Sequence, residues 1–200
     1  MKITKVTPWL LHARAAYYFG RPGEYIFVEV KTDEGITGWG EVTTTHPVAN
    51  RAVCAILREL GPTIEGDDPV QIEKIWNKIF RRFTYMGSRG ASTNAISGID
   101  IALWDLKAKA LEIPVWQLAG GMHREKVRVY ANGWFEGLTE PVPGVPAETV
   151  ARQASPKLHA EAALRLKDEG WTALKFYPWG GPQVITPERI RSGIELVRAV

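Results

Sequence analysis

Apolar positions recur along this chain with two different periods, and the changes between them divide it into segments. Near the N-terminus the period is two. Ile3, Val6 and either Trp9 or Leu10 mark a weak alternation over residues 1–11, and residues 12–23 are irregular. The runs 25–32 and 36–42 then alternate around Asp33-Glu34-Gly35, a connection of hairpin length. The pattern predicts a strand, a loop over 12–23 and a hairpin, together a small antiparallel meander. From Pro47 the period becomes helical. Val53, Ile56, Leu57 and Leu60 form one stripe, which Gly61-Pro62 is expected to end. Asp68-Pro69 reads as a cap and first-turn proline for a second helix whose face is Ile72, Ile75, Trp76, Ile79, Phe80 and Phe83. A third helix begins near Ser92 and carries Ala95, Ile96, Ile99, Ala102, Leu103, Leu106 and Ala110 on one side. Gly98 inside it disfavours helix by about 1 kcal/mol relative to Ala, which predicts close approach of another backbone.

After Gly120-Gly121 the order is strand (127–131), loop (132–156), helix (157–169), strand (171–176), loop and helix (187–200). That order predicts parallel strands with right-handed crossovers. Thr186 is an N-cap, Pro187 takes the first helical position, and Ile190, Ile194 and Val197 are expected on the packed face. Two parallel strands cannot bury both their faces, so the sequence reads as the front portion of a longer protein. Within the second strand, Trp171, Ala173, Lys175 and Tyr177 share one face while Thr172, Leu174 and Phe176 share the other. One face turns polar where the strand ends, and parallel α/β proteins do their chemistry at that end.

Composition narrows the function classes. The 200 residues are 45% hydrophobic and 24% charged, as in a soluble globular chain, and no apolar run has the length of a membrane span. A cytoplasmic protein is expected. The net charge of +3 comes from scattered basic residues with no aromatic-interleaved stripe, which argues against nucleic acid and remains compatible with a small anionic substrate. Cys54 sits in an apolar helical stripe and is expected to be inert packing. Asp100 and Asp105 fall on different sides of one helix, so they are not read as joint metal ligands. His123 and His159 lack metal-ligand spacing and are expected at the surface. No Gly-x-Gly-x-x-Gly joins a strand to a helix, which argues against a dinucleotide enzyme.

Three stretches in order carry a resemblance: the hairpin Thr-Asp-Glu-Gly-Ile-Thr-Gly-Trp-Gly-Glu ending at Glu41, the helix Ala-Ile-Ser-Gly-Ile-Asp-Ile-Ala-Leu-Trp-Asp-Leu-Lys-Ala-Lys ending at Lys109, and Pro-Val-Trp-Gln-Leu-Ala-Gly-Gly ending at Gly121. Together they resemble the mandelate racemase/muconate lactonizing branch of the enolase superfamily. The resemblance implies an α+β N-terminal capping domain, residues 1–124, in front of a modified TIM (β/α)8 barrel. Residues 125–200 supply its first βα units, whereas a full barrel takes about 250 residues. It also implies Mg2+, with ligands expected after Val200, and assembly as a homo-oligomer. In the family a proton leaves the carbon beside a carboxylate, and a metal ion stabilises the resulting ene-diolate.

Many members end the second barrel strand in Lys-x-Lys, the second lysine being the base. The matching residues here are Lys175, Phe176 and Tyr177. Lys175 keeps the cation; Tyr177 departs from the pattern. An isolated phenol ionises near pH ~10, so it transfers protons at neutral pH only beside cations. That departure disfavours two-base racemisation on this strand. It leaves dehydration open, with a base, often a histidine on a later strand, taking the α proton while an acid assists loss of the β hydroxyl. The expectation is a Mg2+-dependent sugar-acid dehydratase giving a 2-keto-3-deoxy acid, with Lys175 and Tyr177 catalytic. The alternatives are a racemase, epimerase or cycloisomerase of the same superfamily, or a noncatalytic fragment or relative. Tyr18, Arg21 and His46 on the matching cap loops, and Asn132 and Trp134 after the first barrel strand, are candidate substrate contacts.

Overall fold

The computed structural model describes residues 1–18, 21–42, 47–87, 89–135, 155–179 and 184–200, apart from the side chains of 13–18, 21–22 and 47–48. The chain divides into two compact units, Met1–His123 and Arg124–Val200. The first is α+β. Strands β1 (Ile3–Tyr18), β2 (Arg21–Thr32) and β3 (Thr37–Val42) form an antiparallel sheet in that order, followed by helices α1 (Pro47–Ile64), α2 (Ile72–Phe80) and α3 (Ala91–Ala110). A short helix, α4 (Val115–Leu118), closes the unit. Alternation does its expected work here. Ile26, Val28 and Val30 of β2 are fully buried and share one core with Leu57, Ile64, Ile75, Ile99, Leu103 and Leu106 from the helices. Cys54 is buried in that core. Trp9, Leu11, Tyr25 and Trp39, at alternate positions, stay exposed.

Within the expected loop over 12–23, the described residues 12–18 and 21–23 are instead strand. The β1–β2 register runs through His12↔Glu24 and Ala13↔Gly23, shifts, and resumes at Tyr17↔Pro22 and Tyr18↔Arg21. The shift between Ala13 and Tyr17 absorbs residues that break alternation, so irregular sequence is compatible with strand pairing on either side of it. Two helix boundaries also differ from expectation. Helix α1 runs through Gly61-Pro62 to Ile64. Proline forfeits only one bond in a final turn, and fully buried Ile64 anchors that turn to the core. Asp68 caps a turn rather than α2: its Oδ1 accepts from Val70 N–H at 3.2 Å, and the helix starts at Ile72 behind Gln71, which makes no side-chain cap.

Glycines set the contact between α3 and β3. A Cβ at Gly40 would run into the Gly98 carbonyl and lie 2.9 Å from Ala102 N; one at Gly38 would strike the Ala102 carbonyl and lie 2.7 Å from Leu106 Cβ. The close approach expected at Gly98 is this one, and a Cβ on Gly98 itself would collide with Val28 and Val42. Because β3 is the outer strand, its free backbone groups need partners. Asp105 Oδ2 accepts from Trp39 N–H at 2.8 Å, and Lys109 Nζ donates to the Thr37 carbonyl at 3.0 Å. Helix α3 thus both packs on the strand and closes its open edge.

The second unit holds α5 (Pro156–Asp168) and α6 (Pro187–Ala199). Ser155 and Thr186 cap them, accepting from Leu158 N–H and Arg189 N–H at 3.3 Å each. Gly170, at φ +96°, ends α5 in a Schellman turn: Trp171 N–H donates to the Leu166 carbonyl and Gly170 N–H to that of Lys167, both at 3.0 Å. The expected strands over 127–131 and 171–176 are reduced to one parallel bridge, Ala131↔Leu174. Val127 and Val129 are 74% and 61% exposed, so the burial that sustains a parallel ladder is missing around the first segment. The same holds for α6, where Ile190, Ile194 and Val197 are exposed and Gly193 and Leu196 are the buried positions. Trp179 covers Gly193, whose missing side chain makes room for its indole.

Two outcomes follow for the first unit. Gly40→Ala is expected to lower stability by about 2–3 kcal/mol, because the obstruction is backbone and cannot swing aside; the urea midpoint measures it. Asp100, half-buried on α3, has its carboxyl pushed above the ordinary aspartate range by burial first, with the negative charge of Glu73 adding and a Trp104 hydrogen bond opposing. Its contribution to stability is fully present below the unfolded-chain value of about 4 and is lost as pH rises through the raised folded-state value. Asp100→Asn should therefore flatten the decline in urea midpoint over that interval.

Candidate functional site

The bridge at Ala131 fixes what lies beside what in the second unit. Ala131 N–H donates to the Ala173 carbonyl at 3.0 Å, and Lys175 N–H donates to the Ala131 carbonyl at 2.9 Å. This is the bonding of a parallel pair with Ala131 opposite Leu174. Side chains alternate from that point. Lys175 and Tyr177 fall on one side together with Tyr130. The Lys175 ammonium lies 5.7 Å from the Tyr130 ring centroid and 5.4 Å from that of Tyr177, within cation–π reach of both. Tyr130 and Tyr177 are about half exposed, and Lys175 between them is partly buried.

The other side is aromatic and packed. Phe176 meets the Trp134 ring at 5.6 Å and the His159 ring at 6.4 Å; Trp134 and His159 lie 5.7 Å apart. His159, expected at the surface, is 3% exposed. Helical spacing places it with Ala162 and Ala163 on the buried side of α5, a pattern readable from the chain once the helix start at Pro156 is known. The His159 Nδ1–H donates to the Ser155 carbonyl at 2.9 Å, since a carbonyl oxygen can only accept. Phe135 joins the cluster edge-on to Trp134 at 6.0 Å and to Tyr177 at 5.6 Å, linking the two sides.

Of the residues singled out by sequence, Lys175, Tyr177 and Trp134 come together. Trp134 is half-buried and its indole N–H donates to the Lys175 carbonyl at 2.9 Å. Asn132 is exposed beside the bridge. His46 and the side chains of Tyr18 and Arg21 lie outside the described residues; the backbones of Tyr18 and Arg21 pair with each other in the hairpin. His123 is exposed. Tyr130, Phe135 and His159 were not among the sequence candidates. Tyr130 was findable, because it lies two residues before Asn132 and so shares its face of the extended segment. Among the described residues no group of three or more His, Cys, Asp and Glu side chains is placed to hold a metal ion, and no helix is long and apolar enough to cross a membrane.

Residues 12–120 match the family described as mandelate racemase / muconate lactonizing enzyme, N-terminal domain. The chain is 41% identical over 151 residues to a D-galactonate dehydratase of Klebsiella pneumoniae, an alignment covering 76% of this chain and 34% of that one. Among solved structures, a protein of Mesorhizobium loti provisionally assigned as a dehydratase is 33% identical with a TM-score of 0.80, covering 100% of this chain and 49% of its own. A member of the enolase superfamily from Salmonella Typhimurium is 30% identical with a TM-score of 0.78, covering 99% and 50%. The chain therefore spans about a third of the curated relative and about half of each solved structure.

Proposed function

The chain belongs to the mandelate racemase/muconate lactonizing enzyme branch of the enolase superfamily, and from that premise we propose that it is part of a Mg2+-dependent dehydratase of sugar acids. The observation that carries this reading is the cation–phenol pair, Lys175 beside Tyr177, at the end of a segment bridged in parallel to its neighbour. The name of the curated relative points to an aldonate as substrate class, with an aldarate as the close variant.

In this reading the Lys175 ammonium pairs with the substrate carboxylate and offsets the charge that gathers on its oxygens as the α proton leaves. A general base takes that proton. The C–H electron pair becomes the α,β double bond as the β carbon–oxygen bond breaks, and the departing hydroxyl leaves as water with a proton delivered from Tyr177 Oη. The enol then gains a proton at the former β carbon and becomes the 2-keto-3-deoxy acid. Tyrosine suits the donor role better than the base role that a lysine holds in racemases, which favours elimination over inversion. The Mg2+ requirement is part of the proposal and rests on the family; its ligands are to be sought outside the described residues, and no step here is routed through it.

The experiment is a panel of hexonates, pentonates and aldarates incubated with the full-length protein and assayed for 2-keto acid. The expected result is keto acid from at least one aldonate or aldarate, abolished by a chelator and restored by Mg2+. A panel giving no keto acid, with epimerised or cyclised product in its place, would move the protein to a different reaction of the same superfamily.

A further inference from the structure

A regular parallel ladder would continue past the Ala131↔Leu174 bridge with a bond from the backbone N–H of Gly133 to the Lys175 carbonyl. The bridge is isolated, however, and the backbone turns at Gly133 to φ +78°, out of the extended region. The Lys175 carbonyl accepts from the Trp134 indole N–H at 2.9 Å. Lys175 is consequently held from both backbone groups by the neighbouring segment: its N–H by the Ala131 carbonyl at 2.9 Å and its carbonyl by a side chain one residue beyond the turn.

We infer that Trp134 is a positioning residue for Lys175 and Tyr177, its indole standing in for the missing ladder bond where the two segments part. The arrangement gives a donor without the geometry of a continued strand. The chain leaves the strand direction at Gly133 while the backbone that aims Lys175 and Tyr177 stays held. The indole is itself braced. His159 meets it at 5.7 Å and Phe176 at 5.6 Å, both edge-on or nearly so, and His159 is tied to the first turn of α5 through the Ser155 carbonyl. A chain of contacts thus runs from the N-terminus of α5, through His159 and Trp134, to the peptide between Lys175 and Phe176. Trp134 acts through that peptide and not on the substrate, unlike the direct contact expected of it from sequence.

The inference rests on the proposed roles of Lys175 and Tyr177, so two readouts separate it from them. The first needs no substrate. In full-length protein labelled with 15N-tryptophan, the indole N–H assigned by its absence from Trp134→Phe should exchange with D2O at least about tenfold more slowly than an exposed indole, as a bonded, half-buried donor does. The second uses Trp134→Phe on a sugar acid that the wild type turns over. With kcat referred to folded protein by circular dichroism at the assay temperature, kcat should fall by about ten- to a hundredfold while KM stays within about twofold, as for a reacting group displaced by a fraction of an ångström. An indole that exchanges at the exposed rate overturns the inference, and so does a Trp134→Phe enzyme with wild-type kcat. If the wild type turns over no sugar acid, the proposed reaction falls and the exchange measurement alone decides whether the indole holds the peptide; if the variant does not fold, the same wild-type measurement decides, with the indole then assigned from a Trp134→Tyr variant.

Discussion

Two backbone hydrogen bonds around Ala131 decide which side chains meet in the second unit, and the proposed chemistry depends on them. Strand pairing alternates with a period of two, so a slip of one residue would carry Lys175 and Tyr177 to the packed side and bring Leu174 and Phe176 to the open one. The register is held less by extended pairing, which is confined to one bridge, than by what flanks it. The Schellman turn at Gly170 sets where the second segment starts, and the Trp134–Phe176–His159 cluster fastens its far side to α5. Moving Phe176 out of that cluster would expose an aromatic ring and leave His159 without a neighbour it now touches. The open side, with one ammonium between two phenols, follows from the packed one.

The first unit, an α+β capping domain, depends on a different constraint. Three glycines let α3 lie on β3 with no side chain between the two backbones. The closeness has a second effect, because it brings Asp105 and Lys109 within reach of backbone groups on the outer strand. An unpaired strand edge is a template for unwanted association; here it is closed by the helix that packs against it. The two aspartates of α3 thereby acquire separate uses. Asp105 serves the strand, whereas Asp100, half-buried near Glu73, is held at some electrostatic disadvantage when ionised.

Local signals in the chain were sufficient wherever a single element decides its own form. The Asp33-Glu34-Gly35 connection, the α1–α3 stripes and the Thr186 cap all rest on turn chemistry or periodicity within a few residues. Expectation went astray where a partner decides. The pairing of 12–13 and 17–18 with β2 depends on a register shift between them, and the continuation of α1 past Pro62 depends on the burial of Ile64. The apolar face of α6, marked by Ile190, Ile194 and Val197, was legible, yet burial goes to Gly193 and Leu196 because Trp179 packs on the glycine. In the candidate site, Lys175 and Tyr177 could be assigned to one face from alternation alone. Tyr130 could have been added from the same alternation, whereas the contact of His159 with rings distant in sequence required the third dimension.

The central claim is that Lys175 and Tyr177 act as one unit on a sugar acid, the ammonium on the carboxylate and the phenol on the departing hydroxyl. The most direct measurement is a double-mutant cycle on kcat/KM of the full-length protein with Lys175→Met, Tyr177→Phe and the pair. Each single change should lower kcat/KM by at least about a hundredfold, and the double should lose little more than the worse single, as for groups that serve one transition state. A single variant with kcat/KM within about twofold of wild type, or a double whose loss is the full product of the two, would contradict the account.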